Sequence, residues 1–373
     1  MIGGGTPSTS NNEFWDGDIN WFSPVEIGNE IYVNESQKKI TPLGMKKSSA
    51  RLLPKGSILF TSRAGIGNMA ILSVPSCTNQ GFQSIVPNHK VLNTYFIFSL
   101  KERLKNYGEK NGAGSTFIEV SGKVMRKMKL NLPSIEEQNL IGLYFENLDK
   151  TITLLQRKID SLNEVKKGLL QKLFPSDQSM IPKIRFRDFD KDWEQRELKE
   201  LIKFINGKAF KQNELLEDGK YRVLRVGNFN TNNQWYYSNL ELNHDKYIDK
   251  GDLVYLWATT FGPEIWQEEK VIYHYHIWKV DIFSSEIDKN YLYSWMKYDK
   301  NKILNNTNGS TMIHITKENM DSRIIKYPEK KEQIEIGELL NEIDNTITLL
   351  QKELELNKEI KKGFLQKLFP NEL

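Results

Sequence analysis

Along residues 141–162 the side chains Ile141, Phe145, Leu148, Ile152, Leu155, Ile159 and Leu162 step by four and three in alternation, with Asp, Lys, Arg and Glu between them. This spacing keeps one stripe of a helix apolar and predicts the a/d seam of a coiled coil. Ile336, Leu340, Ile343, Ile347, Leu350 and Leu354 repeat the pattern, and Asn357 takes the next seam position, where a polar side chain helps to fix register. Each predicted helix opens after a proline with acids in its first turn (Glu136 and Glu137; Glu332) and closes on lysines and Leu-Phe-Pro. Both ends suit the helix dipole and the geometry of proline. Roughly 36 residues at about 1.5 Å each make a rod of about 50–55 Å. Two seams in one chain predict an internal antiparallel pair. Packing of each helix on its own globular part, or pairing between chains, is the alternative.

Elsewhere the period shortens. Ser57–Thr61, Met69–Leu72, Leu253–Leu256 and Val271–Tyr273 are short apolar runs punctuated by Gly, Asn and Pro, which predicts strands. Helices are expected over Asn93–Glu109 and Lys289–Asn301. The fold class expected is α+β: two tandem globular domains with mixed, mostly antiparallel sheets, separated by two long helices forming an antiparallel coiled coil. The expected boundaries are 1–133 for the first domain, 134–175 for its helix, 176–192 for a linker, 193–328 for the second domain and 329–373 for the second helix.

The chain is also a duplication. Thr151–Gln156 recurs unchanged as Thr346–Gln351, and Lys166–Pro175 recurs with one change as Lys361–Pro370, at a constant offset of 195 (Thr346 against Thr151, Pro370 against Pro175). Upstream the offset survives in anchors only: Lys55-Gly56 with Lys250-Gly251, Gly67 with Gly262, Gly114-Ser115-Thr116 with Gly309-Ser310-Thr311, Pro133 with Pro328. Such a period is far longer than the roughly 20–50 residues of a solenoid repeat. Each copy is therefore a variable globular part followed by a nearly invariant helix. Asp192–Leu201, which leads into the second globular part, has no counterpart before Met1, so the first domain reads as shortened at its start.

Composition narrows the classes. Net charge is +4, from 52 basic and 48 acidic residues, too mild to identify a nucleic-acid partner by itself. No apolar run nears the roughly 18 residues of a membrane helix, and no secretory leader pattern is present. The single cysteine, Cys77, allows no internal disulfide, and a cytoplasmic protein without a membrane partner is expected.

Candidate DNA contacts lie in segments read as loops. Thr6 and Ser8 belong to the glycine- and hydroxyl-rich stretch 3–12, whose alternative is a loose tail. Arg63 sits in the turn Ser62–Gly67. Lys105 and Lys110 fall in 105–111, and Lys208 and Lys211 in 208–213, both mixing cations, aromatics and amides. Of Arg222 and Arg225 on a predicted strand, at most one should face DNA, and Arg225 is the candidate. Taken singly, each charged candidate reads first as an ordinary surface charge and only second as a base reader. Catalytic motifs are missing: there is no Gly-x-x-x-x-Gly-Lys loop and no Asn-Pro-Pro-aromatic run. Asp252 with Glu268-Glu269-Lys270 faintly matches a nuclease set, but the repeat counterparts of Glu268 and Lys270 are Ser73 and Pro75. His274 and His276 alternate along a predicted strand and read as structural rather than metal-binding.

Taken in order, Gly4–Ser8, Gly17–Trp21, Gly65-Ile66-Gly67 with Asn79-Gln80-Gly81, Gly114–Thr116, Pro133 with Glu137-Gln138, Leu169–Pro175 and Trp193–Arg196 resemble the specificity subunit of Type I restriction-modification systems over nearly the whole chain. The resemblance implies two target recognition domains, each reading one half of an asymmetric bipartite site in double-stranded DNA. It implies that the helices set the gap and dock two methyltransferase subunits, which methylate adenine, and that two restriction subunits join them. Ile152, Leu155, Ile159, Ile347, Leu350 and Leu354 would carry the coiled coil and subunit docking. S-adenosylmethionine, ATP and Mg would belong to those partners, and this chain would hold no cofactor, metal or catalytic residue. A coiled-coil adaptor that binds no DNA, and a self-contained nuclease, are the competing readings.

Overall fold

The two apolar seams become two helices of 39 residues each, Ile135–Leu173 and Lys330–Leu368. The structure, a computed structural model, describes residues 1–63, 65–114, 118–229, 232–258, 261–306 and 315–369. Gly309-Ser310-Thr311, Ser115-Thr116 and Pro370, used above as repeat anchors, lie outside the described residues. The chain divides into two compact units. Unit 1 is Met1–Gln156 together with the stretch from Lys352, and unit 2 is Arg157–Gln351.

Unit 1 contains strands β1 (Ile2–Gly3), β2 (Trp15–Phe22), β3 (Tyr32–Val33), β4 (Lys38–Ile40), β5 (Ile58–Phe60), β6 (Met69–Leu72), β7 (Cys77–Thr78) and β8 (Gln83–Ser84). They form sheets ordered β4-β2-β7, β3-β6-β5 and β1-β8, with β2–β7 and β3–β6 parallel and the other pairs antiparallel. Helices α1 (Pro42–Lys46), α2 (Thr94–Ser99), α3 (Lys101–Asn111) and α4 (Gly122–Met125) precede α5 (Ile135–Leu173). Side-chain caps start three of them: Thr41, Asn93 and Ser121 accept from the amides of Gly44, Phe96 and Val124. Phe60, Ile71, Phe96 and Phe145 form the core, and Leu365 and Phe369 pack against it.

Unit 2 contains β9 (Glu194–Glu197), β10 (Ile202–Asn206), β11 (Tyr221–Leu224), β12 (Tyr236–Ser238), β13 (Tyr247–Ile248), β14 (Leu253–Leu256), β15 (Gly262–Ile265), β16 (Val271–Tyr273), β17 (Ile277–Ile282) and β18 (Ile324–Tyr327). Its sheets run β10-β17-β14-β15, β12-β11-β16-β13 and β18-β9; of these strand pairs β11–β16 is parallel and the others are antiparallel. Helices α6 (Lys289–Asn306) and α7 (Lys317–Asp321) precede α8 (Lys330–Leu368). Leu170, Leu173 and Phe174 from the end of α5 join Trp193, Phe204, Tyr255 and Tyr291 in the core.

Within each unit the two long helices touch and run antiparallel. In unit 1 Asp149 pairs with Lys361, and the Tyr144 and Phe364 rings lie 5.1 Å apart. In unit 2 Asp344 pairs with Lys166 and also takes Lys297 at 3.0 Å. By the repeat offset the two aspartate–lysine pairs are the same pair. Leu155, Ile159, Ile347, Leu350 and Leu354 are buried, and Ile152 is half-buried. Asn357 departs from expectation: its amide donates to the Glu353 carbonyl of its own helix (2.8 Å), so it ties nothing across the seam.

Three other expectations change. Residues 105–111, read as a contact loop although the expected helix runs to Glu109, are helical throughout, because Leu100, Leu104 and Gly108 recur every four residues on a buried face. His274 and His276 leave the strand: the Ile277 amide donates back to the His274 carbonyl (3.0 Å) and closes a turn between β16 and β17. The stretch 3–12 begins as packed structure rather than a loose tail. Ile2 pairs with Ser84 and Gly3 with Gln83, as Ile205 does with Lys279 and Asn206 with Trp278, so Gly4 matches Gly207. A Cβ on Gly4 would lie 2.0 Å from the Asn79 carbonyl oxygen, and one on Gly207 2.4 Å from that of His274. Gly4→Ala should therefore cost about 1–3 kcal/mol through forced backbone shifts, read as a lower midpoint in chemical denaturation.

Candidate nucleic-acid interface

In unit 1 the loop Asn79-Gln80-Gly81 follows β7 and is braced by its own Asn79, whose Oδ1 accepts from the Gly81 amide (2.8 Å). Two sequence candidates meet there. Thr6 Oγ1 donates to Gln80 Oε1 at 2.5 Å. Arg63 lies over Gly81, where a Cβ would come 3.4 Å from the arginine Nε, and the Ser62 amide donates to the Gly81 carbonyl at 2.8 Å. Lys105 crosses the adjoining turn, its Cβ 2.5 Å from where a Cβ on Gly67 would stand. The positive φ of Gly67 (94°) also requires glycine. Ser8 and Lys110 are not drawn in: the Ser8 hydroxyl meets that of Ser10 (2.9 Å), and Lys110 is exposed in the last turn of α3.

By the repeat offset the matching loop of unit 2 is His274-Tyr275-His276, and it gathers different chemistry. Lys208 donates its amide to the Tyr273 carbonyl (2.9 Å) and accepts from the Tyr275 amide (3.1 Å), while its Nζ pairs with Glu214 at 3.2 Å. The Arg225 guanidinium stacks 4.2 Å from the Tyr236 ring centre and donates to the Gln234 carbonyl (3.2 Å). Its Nε is buried without a partner. Trp257 donates to the Tyr275 carbonyl (2.9 Å) and stands edge-on to His276 at 4.8 Å. Tyr275 is exposed. Lys211 stands apart, its backbone amide held by Glu214 (2.8 Å) and its side chain exposed. Arg222 is taken by Glu268 (2.8 Å) and lies over Trp235, which leaves Arg225 as the arginine at the loop. Gln80, Trp257, Tyr275 and His276 were not candidates from sequence. Aligning the two 79–81 and 274–276 loops by the offset would have found all but Trp257.

Burial, and then the positive charges of His276 and Arg225, lower the His274 pKa to about 4, and burial lowers that of His276. The fold thus holds His274 neutral. An unfolded histidine takes its proton near pH 6.5, so stability present above that pH should drain away as pH falls from about 6.5 through about 4. His274→Gln should flatten that slope, as followed by thermal denaturation of unit 2 across the range.

The nuclease-like residues are dispersed. Asp252 binds Lys279 (2.6 Å), Glu268 binds Arg222, and Lys270 pairs with Asp249 (3.8 Å). Among the described residues no group of three or more His, Cys, Asp or Glu could hold a metal ion, and no helix is long and apolar enough to cross a membrane.

Comparison with known proteins agrees with this architecture. The family model described as the Type I restriction modification DNA specificity domain matches residues 1–164 and 190–361. The Type I restriction enzyme MjaIX specificity subunit of Methanocaldococcus jannaschii is 25% identical over 405 residues, covering 100% of this chain and 91% of that protein. The EcoR124I/EcoR124II specificity subunit of Escherichia coli is 32% identical over 158 residues, 41% of this chain and 38% of that protein. The crystal structure of a Type I restriction-modification S subunit from M. genitalium shares the fold, with a TM-score of 0.65 at 16% identity over 97% of this chain and 95% of that one.

Proposed function

Since the chain belongs to the Type I restriction-modification DNA specificity family, whose members are non-catalytic subunits of a larger complex, we propose that its two units read the two unlike halves of an asymmetric bipartite DNA site. The observation that carries this is the pair of matching loops. One position in the fold presents Gln80 with Thr6 and Arg63 in unit 1, and His274–His276 with Lys208 and Arg225 in unit 2. Unlike donors and acceptors at one position suit unlike base edges. Arg63 and Arg225 serve as base readers. Thr6, Ser8, Lys105, Lys110, Lys208 and Lys211 serve phosphates, giving salt-sensitive affinity without sequence choice.

The long helices set the gap between half-sites and dock methyltransferase subunits. Their buried seam residues hold the helices. Leu154 and Leu349, matching positions exposed to 64% and 66%, face the partners. The partners supply adenine methylation with S-adenosylmethionine, and the restriction subunits supply ATP- and Mg-dependent cleavage.

The test is to co-express the chain with its methyltransferase subunit and map methylated adenines across plasmid DNA. A single asymmetric two-part motif with a fixed gap is expected. A one-part or palindromic motif would remove one unit from the reading, and no methylation would favour an adaptor that binds no DNA. In the same assay Arg225→Ala should relax one half-site only and Arg63→Ala the other, each by about 1–3 kcal/mol of discrimination.

A further inference from the structure

The two matching loops differ in what they can offer a ligand. In unit 2 most of the main chain of 274–276 is already engaged. The His274 amide donates to the Leu224 carbonyl (2.9 Å), and the His274 carbonyl accepts from the Ile277 amide (3.0 Å). The Tyr275 amide donates to the Lys208 carbonyl (3.1 Å), and the Tyr275 carbonyl accepts from Trp257 Nε1 (2.9 Å). The His276 carbonyl accepts from the Trp257 amide at 3.2 Å. Side chains are therefore what this turn presents, and they are rings. The ring centres of His274, His276 and Trp257 lie 4.4, 3.9 and 5.9 Å from that of Tyr275. Of the four, Tyr275 is the exposed one, at 37%.

The patch carries little charge. Burial lowers the pKa of both histidines, so their rings are neutral at pH 7. The neighbouring cations are turned to other partners: Lys208 Nζ to Glu214, and Arg225 to the Gln234 carbonyl and the Tyr236 ring. By the repeat offset Tyr275 stands where unit 1 has Gln80, Trp257 where it has Ser62, and Ala258 where it has Arg63. Unit 1 thus sets an amide and a guanidinium where unit 2 sets aromatic faces.

An uncharged aromatic face suits few groups on a duplex. Phosphates call for cations, and the polar atoms of base edges call for donors and acceptors. The apolar group that the major groove exposes is the 5-methyl of thymine. Resting on the reading of unit 2 as a DNA reader, we propose that Tyr275 is a specificity-determining residue whose ring packs on the 5-methyl group of a thymine in that unit's half-site. With its main chain held at both amide and carbonyl, the tyrosine loses little conformational freedom on contact.

The test uses the chain in complex with its methyltransferase subunit and synthetic duplexes carrying the mapped motif. Each thymine is replaced in turn by uracil, which pairs alike but lacks the methyl group. One replacement should slow methylation at limiting DNA by about fourfold, the effect of burying a single methyl group. Tyr275→Phe should keep that ratio. Tyr275→Ala should abolish it, with circular dichroism and the other half-site unchanged. If no uracil effect depends on Tyr275, the inference falls while the DNA reading of the chain stands. If Tyr275→Phe abolishes the effect as well, the hydroxyl makes the contact and the inference falls too. If no methylated motif can be mapped at all, the DNA reading fails, and the inference with it.

Discussion

Replacing Arg185 with alanine should lower the stability of unit 2 by about 3–5 kcal/mol. Glu332 is fully buried, and the guanidinium meets both of its oxygens at 2.8 Å while also donating to the Lys191 carbonyl at 2.6 Å. Without it a carboxylate stands uncompensated where water does not reach. The cost therefore belongs to the stranded charge more than to the pair. It follows that Arg185→Met combined with Glu332→Leu, which removes both charges, should cost much less than the single change. Chemical denaturation followed by tryptophan fluorescence reports chiefly on unit 2, which holds most of the tryptophans. A single-variant loss below about 1 kcal/mol would refute the argument, since that is the range of an exposed pair.

The second large effect should come from Phe145→Ala in unit 1, about 3–5 kcal/mol. Phe145 is fully buried in the unit 1 core, and its ring lies 6.2 Å from that of Phe369, which arrives from beyond the end of α8. Removing it opens a cavity at the point where the first long helix and the end of the second are packed together. Amide exchange over residues 361–369 should accelerate more than exchange over 330–351. If the two stretches changed alike, Phe145 would not be what anchors the end of α8 to unit 1. Leu340, its counterpart in unit 2, is buried to the same degree and should behave likewise toward the end of α5.

How far such features were legible in the sequence depends on the range of the interaction that makes them. The long helices were legible because a four-three alternation is written in consecutive residues, and most of the strands of β5, β6, β14 and β16 were legible for the same reason. Helix α3 was legible as far as Glu109, but its end was also read as a contact loop because lysines, asparagines and a tyrosine drew attention from the buried Leu100, Leu104 and Gly108. The histidines misled in the opposite way: alternation suggested a strand, but a single backbone hydrogen bond to His274 makes a turn. The pairing of Asp149 with Lys361 joins residues 212 positions apart, and no local window contains it. The candidate contacts were legible as residue types only. That Thr6 and Arg63 converge on Gln80-Gly81, while Ser8 and Lys110 do not, depends on folded neighbours: Gly4 lets the backbone approach the Thr78 and Asn79 carbonyls, and Gly81 leaves room for the Arg63 Nε.

The packing of Leu365 and Phe369 onto the unit 1 core has a consequence for the order of events at the ribosome. Residues 1–156 emerge before unit 2, yet the side chains that finish their core are made only after it. At about 5–20 residues per second the wait between Phe145 and Phe369 is on the order of 10–45 s. During that time the emerging chain carries an open apolar face, which is the condition that recruits chaperones and invites aggregation. Unit 2 draws its segments from the uninterrupted stretch Arg157–Gln351 and has no such delay. Unit 1 is therefore begun before unit 2 and completed after it, and a chain stopped just beyond Gln351 would leave unit 1 unfinished while sparing unit 2.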